Sequence, residues 1–102
     1  MASQYVVTQT AEADIDAIAA YIASDNPKAA IQFIEKLYDA FALLADNPLL
    51  GHSRLEVTPS PVRFWVFKRR YLVIYQPENP LAIVRVVSGY QDIAALLEQT
   101  MQ

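Results

Sequence analysis

Hydrophobic and polar positions divide the chain into a helical front half and a β-rich back half. Gln4 to Thr8, with Tyr5, Val6 and Val7, is β-prone and predicts a short first strand. After Thr10 the spacing changes: Ile15, Ile18, Ala19 and Ile22 fall at i, i+3, i+4 and i+7, the stripe of an amphipathic helix. Glu12 and Asp14 sit in its first turn, where negative charge suits the helix dipole. Ser24-Asp25-Asn26-Pro27 closes this helix and opens another, because Asn26 supplies a cap and Pro27 suits the first helical position. Ala30, Phe33, Leu37, Phe41 and Leu44 form the apolar face of the second, longer helix, widened by Ile34 and Tyr38. Asn47-Pro48 stops it.

From Leu49 to Pro61 the residues have turn chemistry and no periodicity. Val62–Phe67 and Tyr71–Gln76 are β-prone runs separated by Lys68-Arg69-Arg70, and Leu81–Ser88 follows the turn Pro77-Glu78-Asn79-Pro80. Such short connections predict a meander of antiparallel hairpins. Gly89 breaks the last strand, and Asp92 caps a short helix over Ile93–Leu97. The order β-α-α-β-β-β-α predicts an α+β fold, a helical hairpin packed on a small antiparallel sheet.

Composition narrows the chemistry. At 102 residues the chain suits one domain spanning 1–102, long enough to bury a core without staples. The absence of cysteine removes disulfides, a thiolate zinc site and a cysteine nucleophile. His52 is the lone histidine, which leaves no His-based metal cluster and makes a Ser-His-Asp triad a poor fit. With Gly51 and Gly89 the only glycines, no Gly-rich phosphate loop can form. No metal centre and no cofactor is expected. No apolar run reaches the roughly 20 residues needed to span a bilayer, and MASQYVVTQTAEAD lacks the basic flank and apolar stretch of a signal peptide. A soluble cytoplasmic domain, not associated with membrane, is the expectation.

Net charge is −3, unevenly distributed. Residues 1–50 carry two lysines against seven carboxylates; residues 51–102 carry six basic side chains against four acidic ones. A domain that grips phosphates gains affinity with each charge it neutralises and is usually basic. A pI near 4.9 argues against nucleic acid as the main partner.

Several side chains stand out against this background. Alternation along Val62–Phe67 puts Arg63, Trp65 and Phe67 on one face. Arg63 there either covers apolar surface beside Trp65 or anchors a partner. Lys68, Arg69 and Arg70 form a basic hairpin tip, read as solvated. Arg85, mid-strand among Ile83, Val84 and Val86, needs a counter-charge, because an unpaired buried ion costs several kcal/mol; Glu56, Glu78 and Asp92 are the candidates. His52 reads as a solvent-facing loop residue. Tyr71 and Tyr75 share a strand face with Val73, typical of core or rim packing, although tyrosine and tryptophan also favour binding hot spots. Tyr90, after Gly89, leans towards interaction.

Taken together in order, these residues resemble the RelE/ParE superfamily of toxins from type II toxin–antitoxin (plasmid stabilisation) modules. The matching pieces are Asn26-Pro27-Lys28-Ala29-Ala30 opening the long helix and the Leu-x-x-x-Pro-x-x-Gly pattern from Leu44 to Gly51. They continue with Arg63 on the second strand, the Tyr71–Tyr75 run, and Ile83-Val84-Arg85-Val86-Val87-Ser88-Gly89 followed by Asp92-Ile93. No piece is specific alone; collinear, they are. The resemblance implies a growth-inhibiting toxin neutralised by a cognate antitoxin whose C-terminal segment folds along it, assembled as a dimer or heterotetramer.

The superfamily divides by target. Its ribosome-dependent mRNA endonucleases replace an acid/base pair by several cations on one surface. Carried over by eye, their five positions hold Arg63, Trp65, Leu72, Gln91 and Leu97, so only Arg63 keeps the required character. An enzymatic reading is therefore disfavoured, with Arg63 as its one catalytic candidate. The ParE branch, which inhibits DNA gyrase by binding, resembles the chain better from Arg85 to Ile93. It commonly has histidine and arginine where Ser88 and Gln91 stand, so a non-toxic antitoxin-binding module is the further alternative. Arg63, Trp65, Tyr71, Arg85, Tyr90 and Gln91 are the partner-binding candidates.

Overall fold

A computed structural model of the chain describes residues 4–53 and 61–88. In chain order the elements are β1 (Tyr5–Val7), α1 (Gln9–Ala23), α2 (Pro27–Asp46), β2 (His52–Ser53), β3 (Arg63–Phe67), β4 (Tyr71–Gln76) and β5 (Leu81–Ser88). The fold is α+β, with one five-stranded sheet of order β1-β5-β4-β3-β2. β2 to β5 pair antiparallel, whereas β1 lies parallel to β5 at the edge, which makes the sheet mixed. The expected C-terminal helix over Ile93–Leu97 lies outside the described residues.

Local chemistry explains the helix boundaries. α1 begins at Gln9 because the Thr8 hydroxyl accepts the Ala11 amide at 3.1 Å. Asn26 does the same for α2, accepting from Ala29 at 3.1 Å with Pro27 in the first turn. Each cap satisfies a backbone donor that the helix itself leaves free. Asn47 ends α2, its amide and its side chain both bonding to the Leu43 carbonyl.

The apolar face of α2 is buried as its spacing predicts: Ala30, Phe33, Leu37, Phe41 and Leu44 all lie in the core. With Ala11 and Ile15 of α1 they meet Phe67, Val73, Tyr75, Leu81, Ile83 and Val86 of the sheet. Val62, Phe64, Ile74, Val84 and Val87 form a second buried cluster, on the opposite sheet face by strand alternation.

The alternation of β5 is interrupted once. Ile74 pairs with Arg85 but Tyr75 pairs with Ile83, so Val84 is an extra residue, a β-bulge. The bulge shifts the phase of the strand. Leu81 and Ile83 before it, and Val86 after it, all enter the helix-side core.

His52, expected in a loop, belongs instead to β2, where it pairs with Phe64 while remaining exposed. Two residues are too few to show a strand period.

Candidate functional site

The bulge brings Arg85 to α1. Its Nε and Nη2 donate to Oδ2 and Oδ1 of Asp14 at 2.7 and 2.9 Å, a bidentate pair. Asp14 Oδ2 also accepts the Val86 amide at 3.0 Å. The Thr8 hydroxyl donates to the Val84 carbonyl at 3.1 Å, so the start of α1 satisfies the backbone on both sides of the bulge. With both side chains about 15% exposed, the hydrogen-bonded carboxylate holds the Arg85 guanidinium more firmly protonated than usual, against the opposing effect of burial.

Asp14 is a partner of Arg85 that the sequence did not single out. Of the three candidates, Glu78 makes no pair with Arg85, and Glu56 and Asp92 lie outside the described residues. Asp14 is three residues after Ala11 and four before Ile18, inside the apolar stripe of α1. That placement is the sequence signal for its role: α1 starts at Gln9, so Glu12 lies in the first turn and Asp14, expected there too, does not.

Arg63 is also committed to structure. Its Nη1 donates to the Gly51 carbonyl at 3.1 Å. The Gly51 amide donates to the Tyr75 hydroxyl at 2.8 Å, and that hydroxyl donates to the Pro48 carbonyl at 2.7 Å. Tyr75 is fully buried. Burial raises its pKa above the ordinary 10.0, although the Gly51 amide and the nearby Arg63 charge pull the other way. A side chain at Gly51 would place its Cβ 2.7 Å from the Tyr75 hydroxyl and 2.8 Å from the Phe64 carbonyl oxygen. Glycine is required there by space.

Trp65 is half-buried against the helix-side core, opposite Val73 in the β3–β4 register. Tyr71 packs its ring 5.0 Å from that of Phe33 and keeps one edge in a cavity of about 510 Å³ between α1 and the ends of β4 and β5. Ile18, Tyr21, Arg70, Arg85 and Ser88 line the same cavity. Tyr21, not singled out by its sequence, is 81% exposed at its rim. The structure therefore gathers Tyr71, Arg85 and Arg70 into one place, and puts Arg63 with Gly51 in another. Tyr90 and Gln91 lie outside the described residues.

Lys68 and Arg69 turn the β3–β4 hairpin with φ of 52° and 63°. Both, with Arg70, are exposed. Among the described residues no group of three His, Cys, Asp or Glu side chains is placed to hold a metal ion, and no helix is long and apolar enough to cross a membrane.

Comparison with known proteins decides the family. Residues 5–93 match the family described as "ParE toxin of type II toxin-antitoxin system, parDE". The chain belongs to the ParE toxin family. A chain of the solved "Chromosomal ParDE TA system from P. aeruginosa" shares the fold, with a TM-score of 0.71 at 21% identity over 87% of this chain and 98% of that one. No curated protein matches the sequence. In this ParE-family chain the Leu-x-x-x-Pro-x-x-Gly pattern has a physical role: Pro48 supplies a carbonyl and Gly51 an amide to one buried tyrosine hydroxyl.

Proposed function

We propose that this chain is the toxin of a type II toxin–antitoxin pair that acts in the cytoplasm by binding, inhibiting DNA gyrase, and that a cognate antitoxin neutralises it. The observation that carries this reading is the position of Arg63. It is the single cation at the positions that the endonuclease branch uses, and its guanidinium holds the Gly51 carbonyl in place. Stabilising a phosphorane in RNA cleavage calls for several cations converging on one surface. Arg85, the other strand arginine, is matched by Asp14. Inhibition by surface contact makes no such demand, and half-buried Trp65 and Tyr71 with neighbouring arginines are the residue types that dominate binding energy.

The test is induction of the chain in a bacterial host, alone and as Arg63→Ala, with soluble expression checked in both. Growth arrest by both, without cut mRNA, is expected. Loss of arrest in a folded Arg63→Ala, together with ribosome-dependent mRNA cuts from the parent, would replace this reading by the endonuclease one. No arrest from soluble parent protein would leave a binding module that has lost its poison, as Ser88 and Gln91 motivate.

A further inference from the structure

The β3–β4 hairpin turns through Lys68 and Arg69, both left-handed, at φ of 52° and 63°. Turns of this geometry favour asparagine and glycine, which adopt it at little cost. Left-handed backbone carried by other residues is strained, and such strain collects at functional sites. Here both residues are cations, and Arg70 adds a third directly after them. All three are exposed, and none has an ion-pair partner among the described residues. Lys68 Nζ rests 5.8 Å from the centre of the Phe67 ring, which steadies the side chain while its charge stays in water. Three of the eight basic residues thus stand together on a chain of net charge −3.

We infer that this tip contacts the phosphate backbone of the DNA that gyrase holds. The contact presupposes the gyrase reading proposed above and adds the DNA as a second surface that the toxin touches. A protein surface is the weaker fit for the tip. Protein interfaces centre on desolvated apolar or aromatic anchors and are depleted in lysine, and Lys68-Arg69-Arg70 contains no apolar residue. Guanidinium forks and an ammonium group match phosphate oxygens. Affinity for free DNA grows with each phosphate neutralised, and three cations on an acidic chain supply little of it. On a toxin already seated on gyrase the same contact is intramolecular, and the high effective concentration makes a weak contact count. Phosphate contacts carry no sequence information, so any duplex in the enzyme serves.

The test titrates the fluorescently labelled full chain with gyrase alone, with a linear DNA duplex alone, and with both together, scoring cleaved DNA in the last mixture. The duplex is expected to tighten the parent's hold on gyrase about tenfold, a gain that falls as salt rises. Duplex alone is expected to bind at least about a hundredfold more weakly than the mixture. Lys68→Asn with Arg69→Gly removes two charges from a turn that accepts the new residues. This variant is expected to hold gyrase alone as the parent does and to gain less than about twofold from the duplex. The slope of log affinity against log salt for the mixture should become shallower by about 2. Arg70→Gln, outside the left-handed pair, should make it shallower by about 1. Lys28→Gln with Lys36→Gln, exposed charges on α2, matches the change in net charge and should leave the gain intact.

An equal gain in parent and turn variant, or an equal loss in the α2 variant, would overturn the inference. Weaker binding of the turn variant to gyrase alone would assign the tip to a protein surface and overturn it too. Duplex alone binding as tightly as the mixture would make the DNA contact independent of gyrase, against the assignment. A parent that binds gyrase in neither state overturns the proposed function and the inference with it. Cleaved DNA trapped equally by parent and turn variant overturns the inference alone and leaves the gyrase reading standing.

Discussion

Asp14 and Arg85, 71 residues apart in sequence, are joined by two hydrogen bonds of 2.7 and 2.9 Å. The pair fastens α1 to β5 where the bulge at Val84 interrupts the strand's alternation. Asp14→Ala leaves a half-buried guanidinium and the Val86 amide without their carboxylate and should cost about 2–3 kcal/mol, read as a lower urea midpoint at unchanged slope. Asp14→Leu combined with Arg85→Leu should lose less than the two single changes summed, because no lone charge remains. Strict additivity would mean that the pair contributes no coupling.

Thr8 is the other half of this fastening. Its hydroxyl caps α1 through Ala11 and donates to the Val84 carbonyl, whereas Asn26 serves as a cap on an exposed turn. Thr8→Ala is therefore expected to cost more than Asn26→Ala, about 2 against about 1 kcal/mol. Equal losses in equilibrium unfolding would show that the bond to the bulge adds nothing.

The contrast between these two caps shows what the sequence made legible. Asn26-Pro27 announces a helix start by its own chemistry, and the Phe33–Leu37–Phe41 spacing announces a buried face, so α2 could be read directly. β5 was legible as a strand from its run of β-branched residues. Its bulge was not, because the phase shift depends on pairing with β4. Asp14 is hidden as a partner of Arg85 for a related reason: it lies 71 residues away and its spacing after Thr10 reads as a first-turn helix charge, whereas α1 starts earlier, at Gln9. Pairing the lone acid in the α1 stripe with the lone base in the β5 stripe would have found it. The parallel pairing of β1, only three residues long, is likewise set by tertiary contacts.

At the end of α2, Tyr75→Phe removes the hydroxyl that serves both Pro48 and Gly51 and should destabilise by about 2 kcal/mol. Gly51→Ala should be at least as damaging, because one of the two closest obstacles is backbone, the Phe64 carbonyl. Thermal unfolding checks both. A Gly51→Ala protein as stable as the parent would contradict the close packing described here.

Alkaline pH offers a second view of the same tyrosine. Burial raises the pKa of Tyr75, and burial with nearby Glu12 raises that of Tyr38, above 10.0 in the folded chain. The unfolded chain therefore loses these protons first. Their contribution to stability is fully present below pH 10 and declines as pH rises from there through the folded values. Urea midpoints measured from pH 8 to 11 should fall above pH 10, and fall less steeply in Tyr75→Phe. An identical slope in that variant would remove Tyr75 from the explanation.

The left-handed turn makes a prediction of opposite sign. Lys68→Asn with Arg69→Gly relieves strain at φ of 52° and 63° and should stabilise the protein by about 1 kcal/mol, seen as a higher urea midpoint. Unchanged or lower stability would mean that the tip carries no strain to relieve.

The most direct measurement of the central claim, a family toxin acting by contact, is DNA supercoiling by purified gyrase titrated with the folded chain. Stalled supercoiling with trapped, cleaved DNA is the predicted result, and Arg63→Ala should retain it once corrected for folded fraction. Unimpeded supercoiling, alongside cutting of ribosome-bound mRNA by the same preparation, would contradict it.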